Sequence, residues 1–168
     1  MTNSPVQKAT KKRPDSTLTG LAGEFYVLAQ LAQRGLVGAL TLGHTKGVDI
    51  VVTNPRTSKM RRVEVKTSRD KPGRERLFGD EPFFRWRMAA KHERITDADL
   101  VYCFVSLGDP GQRPRFFLVP ARTVARYVRW EHRYWLRAHP RAKDNDIRTM
   151  RIPVSDPDGH ADHWSVFE

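Results

Sequence analysis

Glu64 and Lys66 stand two residues apart in the segment Arg-Val-Glu-Val-Lys-Thr-Ser, residues 62–68, and Asp49 lies within an earlier apolar segment, Val-Asp-Ile-Val-Val. A carboxylate in such a strand is costly unless something compensates for it, and a divalent cation would do so. Two carboxylates offer the hard oxygens that Mg²⁺ or Mn²⁺ takes, and an ammonium beside them can orient or deprotonate an attacking water and offset phosphorane charge. The combination is that of metal-dependent phosphodiester hydrolysis. The triplet acid-x-Lys alone carries little: with 19 acids and 9 lysines it arises by chance about once in a chain of this length. Its context carries the argument, because valines alternate with Glu64 and Lys66.

That alternation predicts a strand at 60–68 with Glu64 and Lys66 on one face and Val63 and Val65 on the other. If the strand at 48–54, closed by Asn54-Pro55, pairs with it, Asp49 joins the same cluster. Ahead of both, residues 20–35 read as a helix with Thr19 as N-cap, Leu21, Phe25, Leu28 and Ala32 on the apolar face, and Gly35 as terminator. Glu24 falls at the edge of that face, within reach of the sheet. Further strands are expected at 39–43, 99–108 and 115–120, a second helix at 85–95, a third at 120–138, and a last strand at 147–154. The expected fold class is α/β, with a central mixed β-sheet flanked by helices. Residues 1–17 read as a flexible basic arm carrying Lys8, Lys11, Lys12 and Arg13, and residues 18–168 as a single domain.

On these residues the sequence resembles the PD-(D/E)XK nuclease superfamily, in its small resolvase-like and orphan endonuclease-like members. The match is to the core order helix, strand, strand, helix, strand, over roughly residues 19–107. Residues 20–35 and the sequel Lys-Thr-Ser-Arg-Asp resemble those members too. The resemblance implies a restriction-endonuclease-like core in which Asp49 and Glu64 bind Mg²⁺ or Mn²⁺, Lys66 is the catalytic lysine and Glu24 an accessory acid of the metal site. One departure is that Gly47-Val48, without a proline, precedes Asp49.

Lys and Arg number 30 against 19 Asp and Glu, a surplus of +11, of which +8 remains once the arm is set aside. Such a surplus favours a polyanionic partner through counterion release, here DNA. Beyond the triplet, Arg69, Lys71, Arg74 and Arg76 are candidate backbone contacts, followed by Arg85 and Arg87 interleaved with Phe83, Phe84 and Trp86. Thr67 and Ser68 could bond a phosphate, or serve as strand-end caps. Lys91 and His92, on the expected second helix, would be secondary phosphate contacts. Arg126, Arg129, Arg133 and Arg137 read as a solvated helix face or a DNA-facing stripe. His160 and His163 sit in a polar segment that reads as a loose acidic tail. No apolar run suits a membrane span or signal peptide, so a cytoplasmic protein is expected. The single cysteine, Cys103, rules out an internal disulfide and reads as a buried hydrophobe.

Three other readings stay open on the residues alone. The trio could be a surface ion-pair network, the chain could be an inactive nuclease fold that binds DNA without cutting it, or residues 19–42 could hold a helix-turn-helix. Cutting both strands of a duplex is simplest with two symmetric sites, which makes a homodimer the expectation from function.

Overall fold

The computed structural model describes residues 15–41 and 47–168. Helix α1 (Ser16–Gln33) leads into strands β1 (Val37–Leu40), β2 (Ile50–Thr53) and β3 (Met60–Ser68), then β4 (Phe83–Ala89), β5 (Leu100–Ser106) and β6 (Arg115–Pro120). Helix α2 (Ala121–Ala138) and strand β7 (Ile147–Pro153) follow. Single 3₁₀ turns lie at Arg76–Phe78, Ala90–Arg94 and Trp164–Phe167. Five strands form a mixed sheet in the order β1-β2-β3-β5-β6, in which only β3 and β5 run parallel. β4 and β7 form a separate antiparallel ribbon. The expected class, a mixed α/β fold with a central mixed sheet flanked by helices, is the observed one.

β5 explains the sheet's layering. Every residue of Leu-Val-Tyr-Cys-Phe-Val-Ser is buried, as a strand covered on both faces requires. On one side Val63, Val65, Val101, Cys103 and Val105 pack with Val27 and Leu31 of α1. On the other, Tyr102 and Phe104 pack with Phe84, Trp86 and Met88 of the ribbon and Val124 and Val128 of α2. Cys103 is fully buried as expected, and burial pushes its thiol far up.

The expected second helix at 85–95 is the largest departure. Phe84, Trp86 and Met88 alternate with exposed Arg85 and Arg87, a period of two that makes β4 a strand, and only the 3₁₀ turn Ala90–Arg94 remains helical. The crossover from β3 to parallel β5 therefore runs through a strand and two short 3₁₀ turns. α1 departs too. Its N-cap is Asp15, which accepts from Thr17 N–H at 3.1 Å, so residues 16 and 17 belong to the helix rather than the arm. Lys8, Lys11, Lys12 and Arg13, and the outer part of the strand expected at 39–43, lie outside the described residues.

Nor does the whole of the expected apolar face of α1 meet the sheet: Leu28 packs against the core, but Leu21, Phe25 and Ala32 are exposed. Leu21 and Phe25 are 41% and 54% exposed, and the buried face is Gly23, Val27 and Leu31. The cause is Gly23: a Cβ there would lie 1.9 Å from Thr67 Oγ1, so only glycine lets α1 press this closely onto β3. At the far end Gly35, with φ of +71°, ends the helix as expected. The C-terminal segment is no loose tail. Ala161 bridges Phe117, and Trp164 and Phe167 are buried in the α1-side core. Among the described residues no helix is long and apolar enough to cross a membrane.

Gly20 and Gly23 provide an internal control. A Cβ at Gly20 meets nothing within 4 Å. Gly20→Ala is expected to stabilise by up to about 1 kcal/mol through helix propensity, whereas Gly23→Ala destabilises by about 1–3 kcal/mol through overpacking against Thr67. Urea denaturation of the two variants beside the wild type reads the difference in sign.

Candidate active site

β2 and β3 pair antiparallel with Ile50 opposite Val63, and Asp49 N–H donates to Val63 O at 2.8 Å, so Asp49 enters the sheet alongside Glu64. Asp49 Oδ2 accepts the Val65 N–H at 2.7 Å, which fixes the carboxylate over β3. On the next outward position Lys66 Nζ lies 2.6 Å from Glu64 Oε1. The strand periodicity thus brings Asp49, Glu64 and Lys66 together as expected. Glu24, one residue beyond the Gly23 contact, is close enough to Asp49 for their charges to interact.

The acids differ in their electrostatics. Burial raises Asp49, and Glu64 adds to the rise, while the Val65 N–H and Lys66 oppose it; the net shift is upward. Burial and the Asp49 charge raise Glu24. Burial would raise Glu64 as well, but the His92 hydrogen bond and the Lys66 ammonium outweigh it and hold the carboxyl down at about 2. Glu64 is therefore a fixed anion, and Asp49 and Glu24 are carboxylates short of positive charge.

His92 is the residue that sequence reasoning misplaced. It is 3% exposed, lies on the turn after β4 and reaches Glu64 Oε1 at 3.4 Å, so it is a buried partner of the acid rather than a phosphate contact. His92 Nδ1 lies 2.9 Å from both the nitrogen and the carbonyl oxygen of Ala89; in the tautomer that accepts the Ala89 N–H on Nδ1, the proton sits on Nε2 and is donated to Glu64. Tyr102, opposite Glu64 in the β3–β5 register, stacks edge-on against His92 and closes the site from behind. Burial first, then the Glu64 charge, keeps its phenol protonated. The sequence signal for His92 was its position three residues after the end of an alternating strand, hidden by the helical reading of 85–95.

The donor set suits a hard divalent cation. Glu64 Oε2 and the Tyr102 hydroxyl are both buried without a hydrogen bond of normal geometry, although the phenol is close enough to Glu64 to interact with its charge, and Asp49 Oδ1 accepts no hydrogen bond among the described residues. A Cβ at Gly47, whose φ is +81°, would meet Glu64 Oε2 at 3.6 Å, so glycine keeps that side of the oxygen open. Among the described residues no three His, Cys, Asp or Glu side chains are gathered into a ready metal cage. A hexahydrate-forming ion such as Mg²⁺ needs only one or two carboxylates and keeps several waters.

The basic candidates separate into groups. Arg69 is half-buried, donates to Thr19 Oγ1 at 3.2 Å and lines a groove of about 580 Å³ together with Thr67, Ser68, Arg85 and Arg87. Lys71 is exposed and lines a neighbouring groove of about 290 Å³ with Arg69, Arg113 and Arg115. Arg74, Arg76 and Lys91 are exposed and line neither groove. The α2 stripe of Arg126, Arg129, Arg133 and Arg137 is exposed. Buried Glu131 and Arg151 pair behind it.

A five-stranded mixed sheet carrying carboxylates and a lysine at the β2–β3 junction, flanked by α1 on one side and by α2 with a two-stranded ribbon on the other, defines a mixed α/β fold. The fold is similar to that of a bacterial homing endonuclease, I-Ssp6803I, with a TM-score of 0.51, 11% identity, and 91% of this chain and 93% of that chain covered. No family model and no curated protein matches the chain by sequence.

Because Glu64 is held below its ordinary 4.5, its charge stabilises the fold fully above that pH and progressively less as pH falls toward 2. The stability advantage of wild type over Glu64→Gln is expected to be on the order of 3 kcal/mol at neutral pH and to narrow steadily as the pH is lowered from about 6 to 3. Denaturant titrations across that range measure it; a gap that widens on acidification contradicts the assignment.

Proposed function

We propose that this chain is a PD-(D/E)XK-type endonuclease that hydrolyses DNA phosphodiester bonds with Mg²⁺ or Mn²⁺. The observation that carries the reading is the cluster itself: an orphaned Glu64 oxygen, a raised Asp49 and a Lys66 ammonium at one strand junction. An arginine-lined groove begins at the next residue of the same strand, Thr67. The similarity to a homing endonuclease in fold supports it. The helix-turn-helix alternative is not supported, since the chain after Gly35 enters strand β1.

Each residue has a task. Asp49 and Glu64 hold the cation, which when bound would polarise the scissile phosphate and offset its charge. Lys66, fixed against Glu64 Oε1, orients the attacking water and faces the charge that develops on the phosphoryl oxygens. His92 shares Glu64 Oε1 with Lys66, which leaves Oε2 for the cation. Glu24 adds a further acid next to Asp49. Thr67, Ser68 and Arg69 continue from Lys66 into the groove, where they would contact the backbone of the bound strand. Two copies acting on opposite strands would give a double-strand break, so the reading includes a homodimer.

Plasmid cleavage with and without Mg²⁺ or Mn²⁺ tests this. Wild type is expected to cut only with the cation, and Asp49→Ala and Lys66→Ala each to lower the rate by about 100-fold or more. Equal cleavage by all three proteins contradicts the mechanism, and DNA binding with no cleavage under any metal leaves a binding protein on a nuclease fold.

A further inference from the structure

The β4–β7 ribbon has an outer face that is buried at one end, where Arg151 pairs with Glu75 and Glu131 beside Phe83, and is open at the other. Its inner face, Phe84, Trp86, Met88, Met150 and Ile152, is buried against β5 and β6, and Trp86 Nε1 donates to Val105 O at 3.0 Å. The ribbon is therefore held against the central sheet by its buried face and by this hydrogen bond. The opposite face carries Arg85 and Arg87 on β4, and across the ladder Thr149 stands opposite Arg87 and Ile147 opposite Ala89. These four residues line the same groove as Thr67, Ser68 and Arg69 at the end of the catalytic strand.

The chemistry of that face is more particular than charge. Arg85 approaches Asp70 at 4.0 Å, and Arg87 makes no hydrogen bond or ion pair among the described residues, so its guanidinium fork is open to a ligand. Ile147 is 45% exposed, an apolar side chain that a phosphate-binding surface has no use for. A two-stranded antiparallel ribbon fits the major groove of B-DNA, where arginine forks bind guanine O6 and N7 and aliphatic groups contact thymine methyls.

We propose that the outer face of the β4–β7 ribbon reads base sequence in the major groove, with Arg85 and Arg87 recognising guanines and Ile147 and Thr149 contacting thymine methyls. The inference rests on the nuclease reading and adds the element that gives it specificity. Residues two apart on a strand are separated by about 6.8 Å, close to two base-pair steps of about 3.4 Å, so the two arginines address guanines about two base pairs apart. Rigid mounting on the buried aromatic face places those forks without an ordering penalty on binding.

The test is a binding selection on a pool of short duplexes with a randomised interior, Ca²⁺ replacing Mg²⁺ so that the pool is not cut, followed by affinities at several salt concentrations. Wild type is expected to enrich a motif with two guanines about two base pairs apart. Arg85→Lys and Arg87→Lys keep the charge but lose the fork; each is expected to lose preference for one of the guanines by roughly 10- to 100-fold, with the salt dependence unchanged. Lysine variants that keep the motif intact, or a wild type that binds and cuts duplex DNA without preference, overturn the ribbon's role and leave the nuclease reading standing. A wild type that binds no duplex overturns both.

Discussion

Asp49 and Glu64 enter the sheet side by side, and each must be an anion for the cluster to do chemistry, although burial works against both charges. The protein compensates for them unequally. Glu64 receives Lys66 and His92 on one oxygen and is left with the other buried and unpartnered. Asp49 receives one backbone N–H and is pushed up by its neighbours. A site satisfied fully by its own side chains would be an inert ion-pair network; this one stops short of satisfaction on the side that faces away from His92.

Much of the fold serves to hold that imbalance. β5 lies parallel to β3 and places Tyr102 behind Glu64, where a buried phenol and the His92 ring exclude water. The turn that carries His92 is tied to the ribbon through Ala89, so the same β4 strand both supports the acid and lines the groove that Thr67 and Ser68 enter. From the other side Gly23 allows α1 to lie against Thr67, which is what brings Glu24 to Asp49. The C-terminal Trp164 and Phe167 fill the remainder of the core beneath α1.

How much of this was legible in the sequence depended on how local the signal was. β3 was readable to the residue, because the alternation of valines with Glu64 and Lys66 specifies both the strand and its chemical face. β5, β6 and α2 were legible from continuous apolar or helical patterning. The α1 face was not: leucines outrank glycine in any hydrophobic count, yet close approach at Gly23 decided which side met the sheet. β4 was misread because Ala-Ala-Lys-His-Glu-Arg has helical composition, and the partner that makes it a strand, β7, lies some sixty residues away. The contact of His92 with Glu64 depended on that correction, and the docking of Trp164 and Phe167 on a tertiary cavity that no local pattern announces.

The central claim is that the carboxylate cluster is completed by a divalent cation. Calorimetric titration of the protein with Mn²⁺, free of DNA, measures this directly. The account predicts uptake at one site, a rise in melting temperature on saturation, and loss of both in Asp49→Asn, a variant that keeps an oxygen for the Val65 N–H but not the charge. A folded wild type that takes up no Mn²⁺, or an Asp49→Asn variant that binds it as tightly as wild type, would contradict it.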